Sequence, residues 1–446
     1  MRIVGRAEAT MIRLSVGLGV TVARLLVRGL RLTGRWPSAE AERSSRFAVV
    51  SHVLPPTWSG QAMVLERLLA VVPTEQAVLI ASAQPVAGGP TRTPIIVLAS
   101  EPFEAAWCRP GWRATFGVLV RCFLRGWRVA SIVNRERCAA VIACTGDLID
   151  LPAAMIACRI LGLPLVAYYF DDYVAQWSWA PAAHARAQVF EPLVLRTAHQ
   201  VLVPNERLGT NVSQRSDKQP RIIRNPAWTQ QLPAAAGWTG GHGAPCRIVY
   251  TGAVYHVNYA AFRCLLKSFA ELGDLQPELH IYTAQASDEL AQAGIQGPAV
   301  RVFGHVDPGQ AWKKQREASV LFMGFSFEES VAAIVRSSAP GKLGDYLASG
   351  VPIVALAPAE SFLIGYLRGQ QCGEVVDRLD PQAVAVAIRK VVSDSTRRAT
   401  LVQNALTCAR SEFLAAAAAK EFLGAIPIHP RAVTGRFAHI LEPGAS

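Results

Sequence analysis

The feature that most constrains this chain is an alternation that runs twice. Short, largely apolar stretches give way to loops and then to segments with helical spacing. In the first half the apolar stretches are "RFAVVSHV" (46–53), "QAVLIASA", "PIIVLAS", "CAAVIACTG" (138–146), "LPLVAYYFDD" (163–172) and "HQVLVPN" (199–205). In the second half they are "RIVYTG" (247–252), "ELHIYTA", "VRVFG", "VLFMGF", "VPIVALA" and "GEVVD". Near-continuous apolar runs are strands buried on both faces, and strands alternating with helices make a parallel sheet covered on both sides. Between the two series lies "TQQLPAAAGWTGGHGAP" (229–245), rich in Gly, Ala and Pro and without periodicity, which reads as a linker. The expectation is an α/β chain with two Rossmann-like parallel-sheet domains, 46–228 and 246–395. A leader (1–45), further helices (396–426) and a tail (427–446) flank them.

Composition supports two cores. The chain has 446 residues, 51% of them hydrophobic, and a formal net charge of +12. That charge favours anionic partners. No basic run interleaved with aromatics points to nucleic acid. The nine cysteines are scattered, odd in number and never spaced C-x-x-C. They form neither a disulfide framework nor a zinc site, and they fit a reducing, cytoplasmic setting. No metal-ligand cluster is visible, so neither a metal nor a cofactor is expected.

The leader is apolar but studded with arginine. Its longest uncharged stretch, Leu14 to Ala23, has ten residues, against the roughly 20 of a spanning helix. At about 100° per residue, Arg6, Arg13, Arg24, Arg28, Arg31 and Arg35 fall near one helical face. That pattern suits a helix lying on an anionic membrane at the inner face of the cell membrane. The plainer reading is an unstructured leader.

Ligands of open parallel sheets bind beyond the carboxyl ends of the strands. In "SHVLPPTWSGQ", Gly60 opens a helix where backbone N–H groups favour an anion, although Ser59 would serve there as an ordinary N-cap. Asp171 and Asp172 follow an apolar strand beside Tyr173 and Trp177, a combination suited to sugar hydroxyls. Here too, one aspartate would serve as a helix cap. Gly252 sits between a strand and a helix, and Gly304, His305 and Val306 close another strand. In "RSSAPGKLGDYLASG", Arg336 and Lys342 stand near a helix N-terminus, where a cation opposes the helix dipole. A diphosphate lying there would reconcile them. Asp345, in the first helical turns, suits ribose hydroxyls or simply the dipole.

The order of these pieces resembles the family-four glycosyltransferases of the GT-B class. The resemblance covers about residues 46–425 and rests on "SHVLPPTWSGQAMVLERLL", "VLVPNERLGTNV", "IIRNP", "RIVYTGAVY", "VRVFGHV", "ASVLFMGFSFEES" and "PGKLGDYLASGVPIVA". It implies two Rossmann-like domains facing across a cleft, with a nucleotide-sugar donor held mainly by the C-terminal one. Asp345 then matches the ribose-binding acid. Gly304, His305 and Val306 match the backbone that meets the base, and Gly252 the diphosphate and sugar loop. Asp171 and Asp172 match the acceptor-facing region.

The chain departs from the pattern at two places. Ser337 stands where the family carries a glutamate, with Glu328 and Glu329 upstream, and "GAVYHVNYAAF" lacks the usual Arg and Lys. Lys342 and Arg336 would take over the phosphate charge. The implied activity is transfer of a sugar from a nucleoside diphosphate sugar to a hydroxyl of a glycan or lipid-linked acceptor. It would proceed with retention and without metal; under inversion, Asp171 or Asp172 would be the base. The alternatives are a degenerate GT-B binding protein and a nucleotide-sugar epimerase.

Overall fold

A computed structural model describes residues 6–33, 45–57, 59–81, 93–98, 107–229, 231–233 and 245–428. Arg35, most of the 229–245 segment and all but two residues of the tail lie outside them. The chain divides into two compact units, Met1–Ile223 with Ala419–Ser446, and Arg224–Ala418.

The first unit is built on a seven-stranded sheet. Its strands are β1 (Phe47–Ser51), β2 (Ala77–Ala81), β3 (Ile95–Val97), β4 (Ala140–Cys144), β5 (Leu165–Tyr168), β6 (Ala198–Val203) and β7 (Arg221–Ile222). They lie in the order β3-β2-β1-β4-β5-β6-β7, and every pairing is parallel. Phe47 sits opposite Ala77 on one side and Ala140 on the other, fixing the register at the sheet centre. β1, β2 and β4 are buried along their whole length, as expected of strands covered by helices on both faces.

The expected leader contributes a helix, Arg6–Leu32. By length and composition it would be able to cross a membrane. In this fold its Ile12, Val16, Val20, Ala23 and Val27 are instead buried in the first unit's core. These positions recur at i, i+4, i+8, i+11 and i+15, one stripe of a helix. Arg24 Nε also donates to the carbonyl of Arg159, 2.6 Å away. At the other end of the chain, helix Ala415–Gly424 brings Phe422 against Phe47 (ring centroids 6.5 Å apart) and Tyr168 (6.2 Å). Arg221 pairs there with Glu421 at 2.6 Å.

The second unit has a six-stranded sheet of β8 (Arg247–Thr251), β9 (Glu278–Tyr282), β10 (Val300–Phe303), β11 (Val320–Gly324), β12 (Ile353–Leu356) and β13 (Glu374–Val376). The order is β10-β9-β8-β11-β12-β13, again all parallel. Separate apolar clusters cover its two faces. In both sheets the strand order turns back on itself beside the first strand, at β1/β4 and at β8/β11. Such reversals open a crevice at the strand ends.

Candidate functional site

At the β8/β11 reversal the chain leaves β8 through Gly252, whose φ of +105° lies in the region that favours glycine. The turn is held from several sides. Thr251 N–H donates to the Tyr346 hydroxyl at 3.0 Å, and Gln315 Nε2 donates to Thr251 Oγ1 at 2.9 Å. Gly252 N–H donates to the Tyr282 carbonyl at 2.8 Å. Asn258, in the first turn of helix His256–Ser268, accepts from Tyr255 N–H at 3.3 Å and donates to the Gly324 carbonyl at 2.8 Å, so the ends of β8 and β11 are tied together.

Lys342 reaches into this turn. Its Nζ stands 3.6 Å from the centroid of the Tyr250 ring. A Cβ added at Gly252 would lie 3.3 Å from that same nitrogen. Burial holds the amine down to about 7, far below an ordinary lysine. Two expected residues, ninety positions apart in sequence, therefore meet at the strand-end crevice.

The remaining expected residues of this unit are distributed differently. Asp345 is buried in helix Leu343–Ala348, and its Oδ1 accepts from Trp228 N–H at 2.6 Å. Next to it, a Cβ on Gly344 would come within 2.8 Å of the Asn225 carbonyl oxygen. The Asn-Pro segment is thus laid directly on this helix, and Asp345 fastens it. Arg336 points to Glu360, with Nε 3.7 Å from Oε1, rather than to Lys342. Gly304 and His305 are exposed beyond edge strand β10, and Val306 packs part-buried against the core. Ser337 is buried, while Glu328 and Glu329 are exposed.

In the first unit the structure separates the aspartate pair. Asp172 is buried and takes a forked contact from Arg215, at 2.9 and 3.2 Å. Its Oδ1 also caps Val174 N–H and Ala175 N–H, each at 3.0 Å. Arg215 Nε reaches Glu191 at 3.2 Å. Burial pushes the Glu191 carboxyl up to about 7; Arg215 opposes this and Asp172 adds to it. Asp171 is exposed, one residue away. Gly60 begins helix Gly60–Leu69 with Ser59 Oγ accepting from Ala62 N–H at 3.1 Å, an ordinary N-cap.

Several residues of these sites were not singled out from the sequence. Tyr250, Tyr346, Asn258 and Gln315 shape the Gly252 turn, and only the polar Asn258 just after a strand end carried a signal. At the β1/β4 reversal, Gly146 (φ +130°) lies so close to His52 that any side chain would collide with the imidazole. Behind it Arg125 bridges Asp147 at 2.5 Å and Asp150 at 2.8 Å, all three buried. The string "TGDLID" after β4 would have drawn attention to them by the same strand-end rule. Among the described residues, no group of three or more His, Cys, Asp or Glu is arranged to hold a metal ion.

Residues 245–394 match the family model described as Glycosyl transferases group 1. No curated protein sequence matches the chain. Solved structures match it over most of its length. HepE from Anabaena, in complex with UDP and glucose, aligns with a TM-score of 0.60 at 13% identity, covering 85% of this chain and 98% of that one. Sucrose-phosphate synthase from Thermosynechococcus elongatus gives 0.59 at 15% identity, with 85% and 97% covered. WaaG, a glycosyltransferase involved in lipopolysaccharide biosynthesis, gives 0.56 at 12%, with 84% and 98% covered. At these identities the likeness establishes a shared fold: two Rossmann-like parallel-sheet units, the GT-B architecture.

Proposed function

We propose that this chain is a glycosyltransferase that moves a sugar from a nucleoside diphosphate sugar to an acceptor hydroxyl in polysaccharide or glycoconjugate synthesis. The observation that carries this reading is the meeting of Lys342 Nζ with the Gly252 turn at the β8/β11 reversal. The glycosyl transferases group 1 match covers both residues. HepE, of the same fold, is described in complex with UDP and with UDP-glucose.

In this reading the donor diphosphate lies against the turn. As the bond from the anomeric carbon to the diphosphate breaks, negative charge grows on the leaving oxygen. Lys342, taking up a proton from solvent as the diphosphate approaches, meets that charge. Electrostatic stabilisation of this kind is commonly the largest catalytic term. The reaction needs no metal if Lys342 supplies the positive charge. The outcome we propose is retention at the anomeric carbon, which requires no dedicated base; of the pair Asp171 and Asp172, the exposed Asp171 is the candidate base under inversion. Gly304, His305 and Val306 are proposed to meet the base, and Asp345 the ribose. Acceptors are glycans or lipid-linked glycans. We further propose a cytoplasmic protein drawn to an anionic membrane by the arginines of Arg6–Leu32.

The test is transfer and hydrolysis measured over a panel of nucleotide sugars, with wild type beside Lys342→Met. Turnover of at least one donor, lost in the variant, supports the reading. Donor binding without turnover under any acceptor would identify a binding protein, and exchange of sugar configuration an epimerase.

A further inference from the structure

We infer that the first unit carries a lipid-inserting face built by two neighbouring helices, Arg6–Leu32 and Trp112–Arg135, which seats in the headgroup and acyl boundary of an anionic bilayer. This deepens the membrane reading above and rests on it. That reading invoked arginine charge alone, whereas the structure adds a long apolar surface.

Helix Arg6–Leu32 has two apolar faces. One is the stripe from Ile12 to Val27 that enters the core. About half a turn away, Leu14, Leu18, Val22 and Leu25 are 67%, 69%, 48% and 64% exposed. A helix that only covers a soluble core turns polar residues outward. Helix Trp112–Arg135 repeats the arrangement. Val118, Leu119, Cys122 and Val129 are buried, while Trp112, Phe116, Val120 and Leu124, spaced by four, are 60%, 56%, 39% and 52% exposed. The helices touch closely: a Cβ on Gly19 would collide with the Phe123 ring. Apolar patches of this extent mark interaction sites.

The charges select the occupant. Arg13, Arg24 and Arg28 are exposed along one flank of the first leucine stripe, and Arg113 and Arg128 are exposed on the second helix. Arg113 lies 5.5 Å over the Trp112 ring. The first helix contains one acidic residue, Glu8, which accepts from Thr115 Oγ1 at 3.2 Å; the second contains none. A second copy would bring the same arginines, and its two helices would offer Glu8 as their one carboxylate. A bilayer with anionic headgroups accepts both features at once: leucines and phenylalanine in the acyl boundary, arginines at phosphate level and tryptophan at the interface. At 1.5 Å per residue, the stripe from Leu14 to Leu25 provides about 18 Å of such surface.

The experiment is co-sedimentation of the full chain with phosphatidylcholine vesicles containing phosphatidylglycerol, at low salt and at about 1 M salt, where charge attraction is screened within about 3 Å. Wild type is expected to remain bound at high salt. Phe116→Asp/Leu124→Asp and Leu14→Asp/Leu18→Asp should each weaken partitioning roughly tenfold or more, with UDP affinity and circular dichroism unchanged. Brominated acyl chains should quench wild type more than Trp112→Phe, which keeps the test decisive should an aspartate variant fail to fold. Binding that vanishes at high salt, or variants that bind like wild type, would overturn the insertion and leave charge-driven docking standing. No binding even at low salt would remove both. A lipid-free dimer dispersed by these substitutions would assign the face to a second copy and overturn the inference.

Discussion

Lys342 Nζ stands 3.6 Å above the ring of Tyr250, one residue before the strand ends at Thr251. The ring face attracts the ammonium, yet burial outweighs it and holds the amine down to about 7. A diphosphate arriving there should reverse the balance. We expect UDP binding at pH 8 to take up close to one proton, seen as a calorimetric enthalpy that changes with buffer ionisation heat. Lys342→Met should abolish the uptake and weaken binding by about 1–3 kcal/mol, the range of charge-assisted hydrogen bonds. Proton-neutral binding by wild type would remove Lys342 from the phosphate site.

The same lysine predicts a pH dependence without ligand. Between about 7 and its ordinary 10.5 the unfolded chain holds this proton and the folded chain does not. Stability from this group therefore rises with pH across that window. Denaturant midpoints for Lys342→Met should lack the part of the slope present in wild type; parallel profiles would contradict the assignment.

Gly252→Ala tests the turn. The φ of +105° strains any L side chain, and the new Cβ would press on Lys342 Nζ. A loss of about 1–3 kcal/mol in stability is expected, with weaker UDP binding. A variant that melts and binds like wild type would show that the turn does not need its glycine.

Asp345 separates scaffold from ligand. Asp345→Ala deletes the acceptor for Trp228 N–H and should destabilise by about 1–3 kcal/mol. Asp345→Asn keeps an oxygen for that contact but loses the charge. If ribose also binds there, Asp345→Asn should weaken UDP binding while the melting temperature holds. Unchanged affinity in Asp345→Asn would leave Asp345 as a fastener only.

The aspartate pair should split. Asp172→Asn breaks the fork to Arg215, whose side chain is 33% exposed. We expect a loss of about 1–3 kcal/mol, below the cost for a fully buried pair. Asp171→Asn should leave stability unchanged and lower turnover if that carboxylate faces the acceptor. Glu191 adds a pH signature. Its carboxyl is raised from 4.5 to about 7, so the folded state holds the extra proton, and stability from this group falls as pH rises through that range. Glu191→Gln should flatten that slope; an unchanged profile would assign it elsewhere.

The sheets were legible because apolar runs and strand-end loops are local features. Gly252 and Lys342 were each visible, and the strand-end rule brought them to the same edge before any contact was known. The partners of Asp172 and Asp345 were not legible. Arg215 lies forty-three residues from Asp172, and Trp228 meets Asp345 through its backbone N–H, which no side-chain pattern reveals. The leader misled differently. Its arginines mark one flank, but the buried and exposed leucine- and valine-bearing faces look alike in a sequence, since burial depends on which neighbour arrives. β7, two residues long, is too short for periodicity to register.

Helix Ala415–Gly424 carries a consequence for how the chain is made. Phe422 covers Phe47 and Tyr168, and Glu421 meets Arg221, so the first sheet is finished by residues that follow the whole second unit in sequence. As the polypeptide leaves the ribosome, the second unit emerges whole while the first still has an uncovered patch around β1 and β5. The first unit therefore reaches its mature form only after the whole of the second has been synthesised. A product that stops short of residue 415 would leave Phe47 and Tyr168 without that cover.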